Sequence, residues 1–446
     1  MRSGRTFLLA AIAGTAIANN YAVQPALTDI AAHLDVPLSV IGLVPTAALI
    51  GCTAGFALLL PLVDQLAPNR LVAAQLTALA AALALAAAAP GPGVLLFAYV
   101  LVGAAAGVAA QAGNIAGRHA PPERRATAVA TVAAGMSAGI LLSRLVGGAL
   151  TDALGWRWML LAFAAVCLLG ALAAATLLPA ERPQSRMRYR AALASLPLLL
   201  RQHPGLRRAV AAGGLWYFAF NLVWVALTLS LGRPPHSLDP TTIGLYGLAG
   251  LLGFAALPFT GRLTDRRTPA AVIAGCMLTA AAGVALLATG PGTPPVTVLG
   301  LALFDAGCFA AQAANQSRII ALDPDRAGSL SSVYLVLYFV VGAVGTASAA
   351  PLLETVGWAP TCLAAAAALL AAAAVGRTPR AACRRPSRRA GTALRGRRSR
   401  PPEGPEQRDG HLRRPARRGL GVVDDESTRA ERTRPLRRRG TGGDAR

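Results

Sequence analysis

Long apolar runs, separated by short polar segments, occupy most of the chain up to residue 376. A helix needs about 20 apolar residues to cross the hydrocarbon core of a membrane. Twelve runs are long enough, so the pattern predicts twelve transmembrane helices. Their predicted bounds are 6–28, 39–62, 70–90, 94–117, 125–151, 156–179, 208–231, 240–261, 269–290, 294–319, 327–352 and 357–376.

The first run follows Arg2 and Arg5 and passes the small residues Ala16 and Ala18, a pattern that also resembles a cleavable secretory signal. Its apolar character continues toward Leu27. We therefore interpret it as the first transmembrane helix and keep cleavage as the alternative.

Four polar positions recur along the chain at one offset of about 200 residues. The matched pairs are Asp64 and Asp265, Gln111 and Gln312, Asn114 and Asn315, and Arg125 and Arg326. Self-similarity at so long a period inside apolar chain is typical of two parallel membrane half-domains. The sequence therefore predicts a six-helix half at 1–179, a cytoplasmic linker at 180–207 and a second six-helix half at 208–376.

Arginines fall mainly in the loops on one side of the predicted bundle. That side holds Arg70, Arg118, Arg124, Arg125, the run from Arg182 to Arg208, Arg262, Arg266, Arg267, Arg318 and Arg326, whereas the other side has little beyond Arg157 and Arg233. Basic residues in short loops are retained in the cytoplasm. We therefore predict that both termini are cytoplasmic, as an even number of spans requires.

Composition agrees with a multi-pass membrane protein, because hydrophobic residues make up 54% of the chain and charged residues 14%. Residues 377–446 differ, since they are rich in Arg, Pro and Gly and lack an apolar period. We predict that they form a disordered cytoplasmic tail. Anionic lipid headgroups are one partner for its arginines. The alternatives are incidental nucleic-acid binding without specificity, or a tail produced by an unusual reading frame.

Four short motifs carry a family resemblance. They are Tyr21-Ala22-Val23-Gln24-Pro25 in the first span, Gly139-Ile140-Leu141-Leu142-Ser143-Arg144 in the fifth, Gly261-Arg262-Leu263-Thr264-Asp265-Arg266 after the eighth, and Asn315-Gln316-Ser317-Arg318 at the end of the tenth. Together they resemble the major facilitator superfamily, and within it the bacterial drug/proton antiporter-like, arabinose-efflux-like branch. The resemblance implies an all-α integral membrane fold of twelve transmembrane helices in two pseudo-symmetric six-helix halves. It also implies a secondary transporter, here expected as a monomer in the bacterial inner (plasma) membrane, that works by alternating access.

The chain departs from the family pattern at two places. Leu60 stands where the family has glycine in the loop motif, and Tyr99 stands where many proton-coupled members have an arginine in the fourth helix. The second departure puts proton coupling by that residue in doubt.

Polar and aromatic side chains inside the predicted spans mark a candidate substrate cavity, because polar groups are costly in lipid. The resemblance implies that the first, fourth, seventh and tenth helices line this cavity. The candidate lining residues are Asn20, Tyr21, Gln24, Gln111, Asn114, Tyr217, Asn221, Trp224, Gln312, Asn315 and Tyr338. Aromatic walls with a few amides suit small amphiphilic molecules. As alternatives, the amides of the fourth and tenth spans bond helix to helix, and the seventh-span aromatics form an interfacial belt.

The loop motif contributes Asp64 and Arg70 after the second span, and Gly261, Asp265 and Arg266 after the eighth. Each aspartate lies where a span ends, within reach of basic residues and the partly positive N-terminal end of a helix. We expect the two aspartates to hold the cytoplasmic face closed. The alternative is that they are solvated loop charges.

Arg144 and Asp305 lie inside predicted spans, where a charge is costly and is normally kept for pairing or function. Both lie about eight to ten residues from the outer ends of their helices, which places them at matching depth in the outer half of the membrane. We predict that they meet across the two halves when the outer face is closed, and that protonation of Asp305 releases them. The alternative is that Arg144 pairs within its own half or reaches the outer headgroups.

The sequence therefore predicts a transporter that couples inward proton movement to export of small amphiphilic organic compounds. The main alternative is uptake of a small organic solute or anion, with Arg144 as the anion's partner. A non-transporting sensor or a membrane enzyme is less favoured, because no cluster of His, Asp, Glu or Cys has catalytic or metal-ligand spacing and no Walker loop is present. We expect no cofactor and no metal. The expected partners are the lipid bilayer, the small-molecule substrate and protons.

Overall fold

The computed structural model describes residues 3–121, 124–181, 198–250, 269–322 and 327–376. These residues belong to one compact unit, Met1–Ala381. The predicted disordered tail lies outside the described residues, as does most of the predicted linker.

Ten described helices are long and apolar enough to cross a membrane, which confirms ten of the predicted spans with small shifts at their ends. From the second to the seventh span the helices are Leu38–Ile41 with Leu43–Leu58, Pro68–Ala87, Pro92–Ala106 with Val108–His119, Arg125–Leu154, Trp156–Leu177 and Pro204–Leu231. From the ninth to the twelfth they are Pro269–Ala288, Pro294–Leu322, Ala327–Thr355 and Trp358–Gly376. The seventh span thus begins four residues before the predicted start at 208.

The first span is not the continuous helix that the sequence predicts. Its α-helix, Ser3–Ala18, is followed by turns and then by a 3-10 helix at Gln24–Ala26 and a short α-helix at Leu27–Leu34. Pro25 explains part of this break, because proline has no backbone N–H to donate and its ring clashes with the carbonyl four residues before it. The break leaves the buried side chain of Gln24 beside the fifth span.

The fourth span is also interrupted, at Gly107, where the backbone N–H donates to the carbonyl of Ala104. Glycine is a weak helix former, so a local change of helical geometry is easily accommodated at this position.

The eighth span begins at Asp239, whose side chain accepts from the backbone N–H of Thr242 at 2.8 Å and so caps the helix Pro240–Leu245. A 3-10 turn at Tyr246–Leu248 follows. The remainder of the predicted span lies in 251–268, outside the described residues. Because Thr242 donates to it through its backbone N–H and its hydroxyl, the pKa of Asp239 lies below its usual value.

Packing inside the two halves follows the same plan. In the first half the first span packs on the fifth, the third on the sixth and the third on the fourth. The equivalent pairs in the second half are the seventh with the eleventh, the ninth with the twelfth and the ninth with the tenth. The repeat in the sequence is therefore also a repeat of helix pairing, as expected for the major facilitator fold.

Among the described residues, the two halves touch along a seam that reaches one end of the bundle and extends inward to Phe56 and Phe339, whose ring centres lie 4.8 Å apart. We call this end, which holds Asp152 and Thr241, the far end, and the end that holds Ser3 and Gly376 the terminal end. The second span packs on the eleventh and the fifth on the eighth. Contacts across this far-end seam include Thr46 Oγ1 with Thr346 Oγ1 at 2.7 Å, and Asp152 Oδ2 accepting from the backbone N–H of Thr241 at 2.7 Å. The described state is closed at its far end.

Candidate functional site

Two opposite charges lie in the seam, one from each half. Among the residues that the structure describes, Arg144 and Asp305 are the only charged residues with buried side chains, at 1% and 0% exposure. At the offset of the repeat, Arg144 corresponds to Gly345 and Asp305 to Ala104. Neither charge has a charged counterpart at the repeat position in the other half. The site therefore forms only where the two halves meet.

Arg144 is fixed on several sides by its neighbours. Its Nε donates to Gln24 Oε1 at 3.0 Å, and its Cζ lies 5.0 Å from the ring centre of Tyr21. Both of these partners belong to the first span. The same Cζ lies 4.0 Å from the ring centre of Trp224 in the seventh span, across the seam. A guanidinium over an aromatic face is attracted by the ring quadrupole, most strongly when both groups are desolvated.

Trp224 also holds Asp305. Its Nε1 donates to Asp305 Oδ1 at 3.1 Å. The indole therefore presents its face to the arginine and its N–H to the aspartate. Arg144 and Asp305 meet across the halves, but they do so through Trp224 and not as a direct hydrogen-bonded pair.

Glycines in the eighth span make this approach feasible. A Cβ added at Gly244 would lie 2.5 Å from Arg144 O, and one added at Gly247 would lie 3.3 Å from Arg144 Cβ. A Cβ at Gly250 would lie 2.7 Å from Asp305 Oδ2. The eighth span therefore covers both charged residues with bare backbone, as small residues at helix interfaces permit. The sequence analysis did not identify these three glycines, although their regular spacing of three residues can be seen in the sequence.

An aromatic cluster lies beside these charges in the second half. We define it as Trp216, Tyr217, Phe220, Phe304, Tyr334 and Tyr338. The rings of Tyr217 and Tyr338 stack at 3.9 Å, and the hydroxyl of Tyr217 lies 3.1 Å from that of Tyr21 across the seam. The first half has Ala16, Ser137 and Gly103 at the repeat positions of Tyr217, Tyr338 and Phe304. The second half thus contributes aromatic side chains to the interface, whereas the first half has small residues at the equivalent positions.

Most predicted cavity amides bond helix to helix in the described state. Gln111 donates to Leu59 O at 2.7 Å, and Asn315 donates to Ala209 O at 2.9 Å. Gln312 accepts from the hydroxyl of Tyr334 at 2.5 Å.

The other amides have different surroundings. Asn20 donates to Cys52 Sγ at 3.2 Å, and Asn221 to Tyr217 O in its own helix at 2.8 Å. Asn114 is exposed. A cavity role for the predicted amides stays a prediction.

The loop motif contributes no described geometry to this site. Arg70 is exposed, and the side chain of Asp64 is not among those that the structure describes. Gly261, Asp265 and Arg266 lie outside the described residues. The proposed latch at the cytoplasmic face therefore stays a prediction.

Within the described parts of the chain, no group of three or more His, Cys, Asp or Glu residues could hold a metal ion. The described cysteines are free, and four of the five are buried. The geometry so far is that of a helical membrane bundle with one composite charged site at the seam of its halves.

Comparison with known proteins decides the family. The sequence profile of the Major Facilitator Superfamily matches residues 8–346. The chain belongs to this superfamily. A relative from Streptomyces coelicolor, named "Probable transporter SCO4007", is 34% identical over 358 residues, which cover 80% of this chain and 83% of the relative. "Uncharacterized transporter YgaY" of Escherichia coli O157:H7 is 29% identical over 358 residues, covering 80% of this chain and 91% of the relative.

Solved structures of the superfamily share the fold. The nucleoside transporter NupG, solved as a point mutant, superposes with a TM-score of 0.66 at 15% identity, covering 83% of this chain and 98% of that one. A bacterial homologue of the human lysosomal transporter Spinster, in an inward-facing and unoccupied conformation, gives 0.63 at 17% identity, covering 84% of this chain and 94% of that one. At these identities the likeness concerns the fold alone. This major facilitator protein is a multi-pass membrane transporter, and its family and relatives point away from an enzyme.

Proposed function

We propose that this transporter exports small amphiphilic organic compounds in exchange for protons, with Asp305 as the proton-binding group. The observation that carries the proposal is the charged site of Arg144, Trp224 and Asp305. It is buried, it is composed from both halves, and it lies where the halves must separate for the far end to open. The terminal end is the cytoplasmic face, as the arginine distribution predicts.

Protonation of Asp305 couples to opening through its two neighbours. A neutral carboxyl accepts more weakly from the Trp224 N–H and no longer offsets the charge of Arg144 across the seam. The closed far end then loses part of its stabilisation, and the halves rock apart about a midplane site. After the substrate has left, Asp305 carries a proton taken up from outside to the cytoplasmic side.

Purified protein in liposomes with an imposed pH gradient tests the exchange. Substrates driven by proton exchange accumulate on the acidic side, whereas solutes taken up together with protons accumulate on the alkaline side. The direction of accumulation therefore separates our proposal from the alternative of proton-driven uptake, and it does not depend on how the protein is oriented. A panel of dyes, antibiotics and sugars covers the chemical range.

A pair of matched variants locates the proton site. Asp305→Asn should abolish the response to the gradient, whereas substrate counterflow, which needs no net proton movement, should persist at a rate reduced only as far as Asp305 also contacts the substrate. Glu354→Gln removes an exposed carboxylate at the far end of the eleventh span and should change neither. Gradient-driven accumulation that survives Asp305→Asn would assign the proton to another group, and accumulation that ignores the gradient would remove proton coupling altogether.

A further inference from the structure

Each charged group of the seam keeps one edge without a hydrogen bond. Arg144 Nη1 and Nη2 and Asp305 Oδ2 are buried and have no partner among the residues that the structure describes. A buried polar atom without a partner destabilises the state that contains it, and a charged one does so more strongly. We propose that these free edges bind the carboxylate and the ammonium group of a small zwitterion, an amino acid with an apolar or aromatic side chain. The inference rests on the proposed exchange and names its substrate class.

Arg144 is arranged to receive a carboxylate. Its Nε is already used by Gln24, and its Cζ lies over the rings of Trp224 and Tyr21. The two terminal nitrogens are what remains, and they form the edge that binds a carboxylate through two parallel hydrogen bonds. The held orientation also means that little side-chain entropy is lost when a ligand binds.

Asp305 is arranged to receive a cation. Its Oδ1 accepts from Trp224, and its Oδ2 is the free oxygen. Gly250 faces this oxygen, where a Cβ would come within 2.7 Å. Backbone therefore covers the free oxygen on this side, next to the apolar side chain of Leu141, whose Cδ2 would lie closer still to the same Cβ. An ammonium group supplies three donors and a full charge to such an acceptor.

Charge balance favours a zwitterion over a simple anion or cation. Arg144 and Asp305 together are neutral, so a neutral ligand with both charges pairs each group and leaves none over. A net anion or a net cation would leave one buried charge unpaired, which is strongly unfavourable. Arg144 and Asp305 both contact the same indole, that of Trp224, so the ligand's two charges must lie a few bonds apart.

The aromatic cluster supplies a surface for the rest of the ligand. Tyr217 stacks on Tyr338 and reaches Tyr21, which itself contacts Arg144. An apolar or aromatic side chain attached to the zwitterion would lie against these rings when the far end opens. A proton on Asp305 removes the partner of the ammonium group, so proton and substrate exclude each other, as exchange requires.

Binding measurements on the full chain in lipid nanodiscs test the inference, with L-phenylalanine, its methyl ester and its N-acetyl derivative as probes. The ester lacks the carboxylate and the N-acetyl compound lacks the ammonium group. We expect each analogue to bind at least about tenfold more weakly than phenylalanine, because each leaves one buried charge without its partner. Arg144→Gln should then bind phenylalanine and its ester alike, and Asp305→Asn should bind phenylalanine and its N-acetyl form alike. Arg201→Gln, which changes an exposed arginine outside the site and the loop motif, should preserve both preferences.

Three results would overturn the inference. These are equal affinity of the wild-type protein for all three probes, loss of affinity for all three by the same factor in Arg144→Gln, and absence of binding for phenylalanine, tryptophan, leucine and methionine. Failure here is distinguishable from failure of the proposed function. Proton-driven dye export without zwitterion binding rejects only the inference, whereas zwitterion binding together with net zwitterion accumulation that ignores a pH gradient rejects only the proton exchange.

Discussion

Closure of the far end depends on a glycine contact that a single methyl group should disrupt. In Gly244→Ala the added Cβ would lie 2.5 Å from Arg144 O, a backbone atom of the opposite half. Backbone at this contact cannot move without separating the fifth and eighth spans. Overpacking of this kind costs typically about 1–3 kcal/mol. If the strain is confined to the closed state, the ratio of far-closed to far-open protein falls by roughly 5- to 150-fold.

Labelling of a seam position measures this shift. Thr346 is 1% exposed and bonds to Thr46 across the seam, so a cysteine at 346 reacts only when the far end opens. In a background without native cysteines, the rate of modification of Thr346→Cys by a membrane-impermeant maleimide reports the open population. Gly244→Ala should raise this rate within the range given above.

A matched glycine provides the control. In Gly14→Ala the added Cβ would lie 2.6 Å from Gly135 O, a contact between the first and fifth spans inside one half. The steric conflict is similar, but it is present in both the closed and the open state. Gly14→Ala should lower thermal stability and leave the labelling rate unchanged. If both variants raise the rate equally, or if folded Gly244→Ala does not raise it, the seam contact does not hold the far end closed.

Three further predictions concern the charged site, the seam and the tail. Arg144→Ala and Asp305→Ala should each impair transport, and the exchanged double variant should recover little of it, because the Trp224 N–H donates to residue 305 and its ring face holds a cation at residue 144. A harmless Arg144→Ala, measured as substrate counterflow, would contradict both the proposed contact across the seam and the proposed substrate site. Asp152→Asn should weaken the hydrogen bonds across the seam and raise the labelling rate at the far end, by less than tenfold because the group is exposed; an unchanged rate would show that this contact is incidental. Truncation after Gly376 should leave membrane insertion and transport largely intact, as assayed by fractionation and counterflow, and loss of insertion would contradict the predicted disorder of the tail.

The helices, their order and the repeat could be predicted from the sequence, because each depends on local length and periodicity. About 20 apolar residues suffice for a span wherever its neighbours lie, and ten predicted spans are confirmed. The breaks at Ala18 and Gly107 were missed. Hydropathy does not register them, because a window of about 20 residues averages over a break that is only a few residues long.

The candidate site could be predicted only in outline. Matching depths of Arg144 and Asp305 follow from counting residues along two helices, and the fold then brings them to the same seam. Counting cannot show what lies between them, because that depends on how the seventh span is rotated. Trp224, predicted simply as a cavity residue, is the group that contacts both.

What the sequence by itself determined is thus the set of membrane helices and the few polar groups inside them, because insertion free energy is a sum over residues of one segment. What only the tertiary structure decided is which of those groups pair. Gln111 and Asn315 have similar chemistry to Gln24, yet they bond neighbouring helices while Gln24 orients Arg144. The physical reason is that hydrogen bonding and cation–π contact depend on distances of a few Å between separate helices, and those distances are set by packing.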